Sequence, residues 1–196
     1  MNLPCGHEKC QVFTVSETLT ERITHELRID EILLAAFNTA LYTMTGIENP
    51  CILLENHGRQ DFTGNIDVSH TMGWFAAPYS VKLPQPGKNL KETLGNVKET
   101  LQKVPHEGIG AKALWVNENR IPCISKIYLN YVGEFDRKRD LDIDPEIDVL
   151  NQFDLSLGAH ISRKQFYFNF TSKLPQDMIT RFIEDFTAAL EELHRL

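Results

Sequence analysis

No apolar run in the 196 residues approaches the roughly 18 that a membrane-crossing helix needs, so no membrane partner is expected. The first ten residues, MNLPCGHEKC, lack the apolar core of a secretory signal. Basic charge is short as well: 20 Lys and Arg stand against 27 Asp and Glu, for a net charge of −7. That balance disfavours nucleic acid, because phosphate binding needs a basic face. The compact basic run Arg137-Lys138-Arg139 is followed by Asp140, Asp142, Asp144, Glu146 and Asp148, the pattern of a solvated loop. Cysteine is scarce, at four residues. Cys51 and Cys123 sit in apolar, strand-like segments and read as buried thiols. Cys5, His7 and Cys10 are metal-ligand types, but a structural zinc site needs a fourth ligand and usually a second close pair. The expectation is therefore no metal, a frayed segment over residues 1–10, and a cytoplasmic protein.

What is present is an ordinary core composition, 42% hydrophobic and 24% charged, in a length that suits one domain or one large lobe. Residues 11–15 (QVFTV) alternate as a strand does, and Ser16 or Thr18 can cap the helix that follows. Asp30 reads as a second N-cap, opening a helix over 31–45 with Ile32, Leu33, Ala36, Phe37, Ala40, Leu41 and Met44 on one face; Gly46 ends it. Residues 51–54 form a continuous apolar run, as in a strand buried on both faces. A polar, turn-like stretch follows over 61–69, and 71–78 suits an ordered loop lying against something apolar. A strand over 79–83 precedes a helix capped by Asn89, with Leu90, Leu94, Val97, Leu101 and Val104 at helical spacing.

Residues 111–116 suit a short helix, 121–132 (IPCISKIYLNYV) a strand, and 133–151 an acidic, irregular loop. The strands over 153–160 and 165–171 neighbour each other. Pro175 opens a terminal helix with Met178, Ile179, Phe182, Ile183, Phe186, Ala189, Leu190 and Leu193 inward. The alternation of strands and helices predicts an α/β sandwich with a mixed central sheet.

The chemistry concentrates in residues 50–75, PCILLENHGRQDFTGNIDVSHTMGWF. Glu55, His57 and Arg59 cluster at the exit of the apolar strand, where α/β proteins usually place their ligands. Two readings stand for Glu55. Desolvation at the strand exit suits a carboxylate to proton transfer. Alternatively, Glu55 pairs with Arg59 or His57 and only ties down the strand.

The stretch ENHGRQ followed by SHTMGWF resembles the E-G-H-G-R-E and S-R-T-V-G-W-F-T signatures of epimerization domains of nonribosomal peptide synthetases, within the condensation-domain superfamily. PHEGIGAKAL is similar to that family's proline-to-Gly-x-Gly segment, and IYLNYVGEFD to its F-N-Y-L-G-Q-F-D motif. The helix DEILLAAFNTAL matches the segment that precedes them. The resemblance spans nearly the whole chain and implies the chloramphenicol-acetyltransferase-like fold, here a single C-terminal lobe over residues 1–196. The His-His-x-x-x-Asp-Gly motif of the N-terminal lobe is absent, and no histidine pair occurs anywhere.

The reaction implied by the resemblance is cofactor-independent inversion at the α-carbon of an aminoacyl or peptidyl thioester. The substrate is delivered on the phosphopantetheine of a peptidyl carrier protein. The resemblance assigns Glu55 to the acid/base pair and places Asn130 and Tyr131 along the tunnel. His57 and Arg59 become supporting residues, and Trp74 and Phe75 core residues beneath the tunnel floor. The other partner is the absent N-terminal lobe or a second copy of this chain, and the isolated chain is expected to be inactive. Two alternatives are a non-catalytic carrier-docking module and a fragment of a peptide-bond-forming condensation domain. Departures from the family pattern are Asn56 for glycine, Gln60 where an acid is common, Ala76 for threonine, Ala111-Lys112 for tyrosine-glycine, and Glu134 for glutamine.

Overall fold

The computed structural model describes residues 9–26, 28–61, 64–65, 67–68, 70–73, 75–111, 125–135 and 153–195. Along these the chain runs β1 (Lys9–Thr14), α1 (Glu17–Glu26), α2 (Ile29–Thr45), β2 (Cys51–Asn56), β3 (Ala77–Lys82), α3 (Leu90–Gln102), a 3-10 turn (Pro105–Gly108), β4 (Ile127–Phe135), β5 (Leu155–Ser162), β6 (Gln165–Ser172) and α4 (Gln176–Leu193). The six strands form one sheet in the order β1-β6-β5-β4-β2-β3. Pairing is parallel within β2-β4-β5 and antiparallel at both flanks. The expected mixed-sheet α/β sandwich is the architecture found.

One core joins the helices to one face of the sheet. Phe166, Phe168 and Phe170 alternate inward from β6 and are fully buried. Phe170 stacks on Phe182 of α4 at 4.5 Å, and Phe182 meets Phe37 of α2 edge-on at 5.4 Å. Aromatic pairs in such geometries add to simple area burial. Helix α2 lies between the sheet, α3 and α4, and every residue from Glu31 through Asn38 is buried. The one-sided stripe expected for it is therefore too narrow: neighbours on several sides bury the whole circumference. Asn38 is accommodated because its Nδ2 donates to the Pro84 carbonyl at 2.9 Å.

Caps and turns set the boundaries. Ser16 Oγ accepts from the Leu19 amide and caps α1. Asn89 does the same for α3, accepting from the Glu92 amide. Gly46 closes α2 in the left-handed region at φ 69°. At the start of α2, Arg28 occupies the N-cap position that Asp30 was expected to hold; Asp30 sits in the first turn, 3.0 Å from the Arg28 guanidinium. An acid in that turn still complements the helix dipole.

Several strand expectations shift. β1 begins at Lys9, so Lys9 and Cys10 pair with Ser172 and Thr171 inside the segment expected to fray. β2 alternates, with Ile52 and Leu54 buried and Cys51 and Leu53 only half-buried, so it is not covered equally on both faces. β3 starts two residues early, at Ala77. β4 continues past Gly133, whose φ of 109° accommodates a bulge between Tyr131 and Glu134. β5 and β6 are joined by Arg163 and Lys164, both at positive φ, the two-residue turn that matches strand twist. The helix expected over 111–116 lies outside the described residues beyond Ala111, as do Cys5, His7, Cys123 and the acidic stretch from 136. Cys10 is exposed.

Candidate functional site

A cleft of about 810 Å³ opens at the C-terminal ends of the parallel strands β2 and β4. Its walls come from the first turn of α2 (Asp30, Glu31), the strand ends (Leu54, Glu55, Tyr131), Tyr79 of β3 and the 3-10 turn (His106, Glu107). This is the position that sheet topology favours for ligands. Burial, reinforced by Asp30 and Glu107, pushes the Tyr79 phenol up to about 12, with Arg28 opposing. Burial, with Glu134 and Asp30, does the same for Tyr131, also to about 12. Both phenols therefore stay protonated near neutral pH and can donate hydrogen bonds into the cleft.

Strand alternation sorts the three residues expected to act together. Leu53 pairs with Tyr128 and Leu54 with Leu129 across β2 and β4. Glu55, Tyr128 and Asn130 consequently share one sheet face, while Tyr131 points to the opposite, helix-covered face with Leu54 and Leu129. Tyr131 lines the cleft and Asn130 does not. Glu55 stands at the rim, half-buried, and accepts a hydrogen bond from the Tyr128 hydroxyl at 3.1 Å. Its pairing is thus with Tyr128, not with His57 or Arg59. Burial first, then the Glu55 charge and hydrogen bond, push the Tyr128 phenol well above its ordinary value; the nearby Asn130 amide acts the other way. Tyr128 was missed in the sequence, although its spacing of two from Asn130 carries the signal: period-two strands place such residues side by side.

His57 and Arg59 organise the loop leaving β2. The Arg59 amide donates to His57 Nδ1 at 3.0 Å. The Arg59 guanidinium donates to the carbonyls of Val68, Thr71 and Gly73 at 2.9–3.2 Å and lies 4.3 Å from the Phe75 ring centroid. Phe75 is therefore a half-buried loop residue beneath a guanidinium, outside the hydrophobic core. Gly58, at φ 65°, passes so close to the Phe75 carbonyl that an added Cβ would stand 1.8 Å from its oxygen. Trp74 lies outside the described residues.

Two of the departures from the family pattern converge. Asn56 Nδ2 donates to the backbone carbonyl and the carboxylate of Glu107, and Gln60 Nε2 donates to that same carboxylate. His106 and Glu107 both adopt left-handed backbone, at φ 48° and 50°, a costly conformation for residues with side chains. An acid at position 60 would face the Glu107 carboxylate; the amide of Gln60 binds it instead. Among the described residues no group of three or more His, Cys, Asp and Glu side chains is placed to hold a metal ion, and no helix is long and apolar enough to cross a membrane.

The comparisons agree with this architecture. Bacitracin synthase 2 of Bacillus licheniformis is 33% identical over 162 residues, which is 77% of this chain and 6% of that protein. A component of the linear gramicidin synthase of Brevibacillus parabrevis is 33% identical over 147 residues, 66% of this chain and 2% of that protein. The epimerization domain from the third module of tyrocidine synthetase B superposes with a TM-score of 0.81 at 20% identity, covering 96% of this chain and 48% of that one. The starter condensation domain of rhizomide synthetase superposes at 0.62 with 15% identity, covering all of this chain and 49% of that one. This chain thus spans about half the length of these solved domains and a small share of the synthetases. The condensation-domain family matches residues 8–195, and the chain belongs to it.

Proposed function

We propose that the chain is one lobe of an epimerization domain and contributes Glu55 to inversion at the α-carbon of a carrier-bound aminoacyl or peptidyl thioester. The observation that carries this reading is the state of Glu55. It is a half-buried carboxylate at the end of a central parallel strand, on the rim of the cleft. One oxygen is held by Tyr128, and the other has no hydrogen-bond partner among the described residues. A carboxylate so placed can take the α-proton, which the thioester makes more acidic than an amide would. The enolate oxygen then needs donors on the face that Glu55 presents; the phenols of Tyr79 and Tyr131 line the cleft from the opposite, helix-covered face. The acid for the opposite face comes from a second half, consistent with a chain that spans 48% of the solved epimerization domain. His57 and Arg59 support the site by ordering the loop. The substrate arrives on the phosphopantetheine of a peptidyl carrier protein.

The test is α-deuterium exchange on an aminoacyl carrier protein, with the chain combined with its complementary lobe. Glu55→Gln is expected to lower the exchange rate by about 10²- to 10⁴-fold, the scale of a lost general base. Exchange that survives this substitution refutes Glu55 as the base. Peptide-bond formation by the same preparation in place of exchange would favour the condensation reading, and carrier binding without turnover the docking module.

A further inference from the structure

Tyr128 precedes the part of IYLNYVGEFD that aligns with the family motif, and the resemblance assigns it no role. Its surroundings are nevertheless those of a built site. The ring stacks on Phe153 at 5.1 Å with planes 12° apart. In the sheet register it stands opposite Leu53 on one side and the buried Ser156 on the other. Packed on these sides, the ring has little freedom to leave its rotamer. Its hydroxyl then reaches diagonally along the parallel pair to Glu55, one step beyond Leu53 on the same face. Asn130 sits one step beyond Tyr128 on β4, on the same face, and opposes the rise in the pKa of that phenol. A phenol hydroxyl has one hydrogen to give and two lone pairs with which to accept. That hydrogen goes to the carboxylate of Glu55.

We propose that Tyr128 is a positioning residue for Glu55: it fixes one carboxylate oxygen toward the sheet and leaves the other exposed at the rim of the cleft. This rests on the reading of Glu55 as the base. Tyr128 does not touch the reacting atoms. Its loss leaves substrate binding intact but lets the carboxylate sample unproductive rotamers, so the effect falls on kcat and not on KM.

Two measurements test this. In the exchange assay, Tyr128→Phe keeps the ring and its stacking on Phe153 but removes the hydroxyl. It is expected to lower kcat by about 10- to 100-fold, the usual scale for a supporting residue, with KM unchanged. A purely structural role predicts the reverse pattern, with Tyr128→Phe silent and Tyr128→Leu damaging. In the 196-residue chain alone, tyrosine-labelled NMR follows the phenol without any need for turnover. Glu55→Gln is expected to bring the Tyr128 titration to lower pH by removing the negative charge, although the amide oxygen can still accept. An unchanged titration overturns the pairing. Wild-type kcat in Tyr128→Phe, with Glu55→Gln inactive, overturns the positioning role and leaves Glu55 as the base. Full exchange in Glu55→Gln refutes the base and with it this role, whatever the titration shows.

Discussion

Gly58→Ala is expected to destabilise the protein clearly more than Gly46→Ala, although the two glycines have nearly the same backbone, with φ of 65° and 69°. Both substitutions place a side chain in the left-handed region, at a cost of roughly 1–2 kcal/mol. At Gly46 nothing lies within 4 Å of the new Cβ, so that cost is the whole effect. At Gly58 the Cβ would stand 1.8 Å from the Phe75 oxygen and 2.9 Å from its carbonyl carbon. Real Cβ contacts essentially never fall below 3.0 Å, so the two backbone segments must part by more than about 1 Å. No rotamer change relieves a clash with backbone. Phe75 carries the Arg59 guanidinium, whose three carbonyl hydrogen bonds then lengthen or break. Each is worth roughly 0.5–1.5 kcal/mol net, and the cation–π contact roughly 0.5–1 kcal/mol at an exposed site. The expected additional loss is about 2–4 kcal/mol, bounded by how firmly the loop is attached. Urea midpoints of the two variants measure the global part. Amide exchange at Thr71 through Gly73 measures the local part and should accelerate tens of fold in Gly58→Ala alone. Equal midpoints, with loop exchange unchanged in both variants, would refute the close approach and the clamp built on it.

Other outcomes follow from the core and from a buried histidine. Phe182→Ala removes a ring packed against Phe37, Phe170 and Phe186 and should cost about 3–5 kcal/mol in equilibrium unfolding; a loss under about 1 kcal/mol would mean the core is not packed this way. His160 is buried on β5, stacked on Tyr167, with Nδ1 unpaired, and burial lowers its pKa below the ordinary 6.5. The native state therefore binds fewer protons than the unfolded chain just below pH 6.5, so the stability linked to this group is complete above that pH and is lost as pH falls through it. His160→Phe keeps the stacking and should flatten the pH dependence of the urea midpoint between about pH 7 and 5. An unaltered slope would assign that dependence elsewhere.

Period and punctuation made most of the scaffold legible: FYFNF for β6, the stripe of α4, Asn89 and Gly46 at helix ends. What escaped depended on neighbours far along the chain. The all-round burial of α2 over residues 31–38 follows from α3 and α4 closing around it, which no window within α2 contains. The Glu55 partner escaped for a similar reason. Proximity in sequence offered His57 and Arg59, but β2 ends at Asn56, and Arg59 instead spends its donors on the loop. The true partner, Tyr128, is 73 residues away, brought in by parallel pairing. Asn130 and Tyr131 look like a unit as letters; on a strand, adjacent residues serve opposite faces.

The edge pairing of β1 with β6 has a consequence for how the chain comes off the ribosome. The first described strand has no partner until the hairpin ending at Ser172 has been made. At ordinary synthesis rates that delay is on the order of ten seconds. Throughout it, β1, with Val12 and Phe13 at its centre, is an unpaired strand on a nascent chain. The sheet nevertheless has a nucleus that needs no waiting, the local β5–β6 hairpin with its two-residue turn. β6 is thus the template on which β1 is received, and a fault in the turn at Arg163 and Lys164 would be felt at β1.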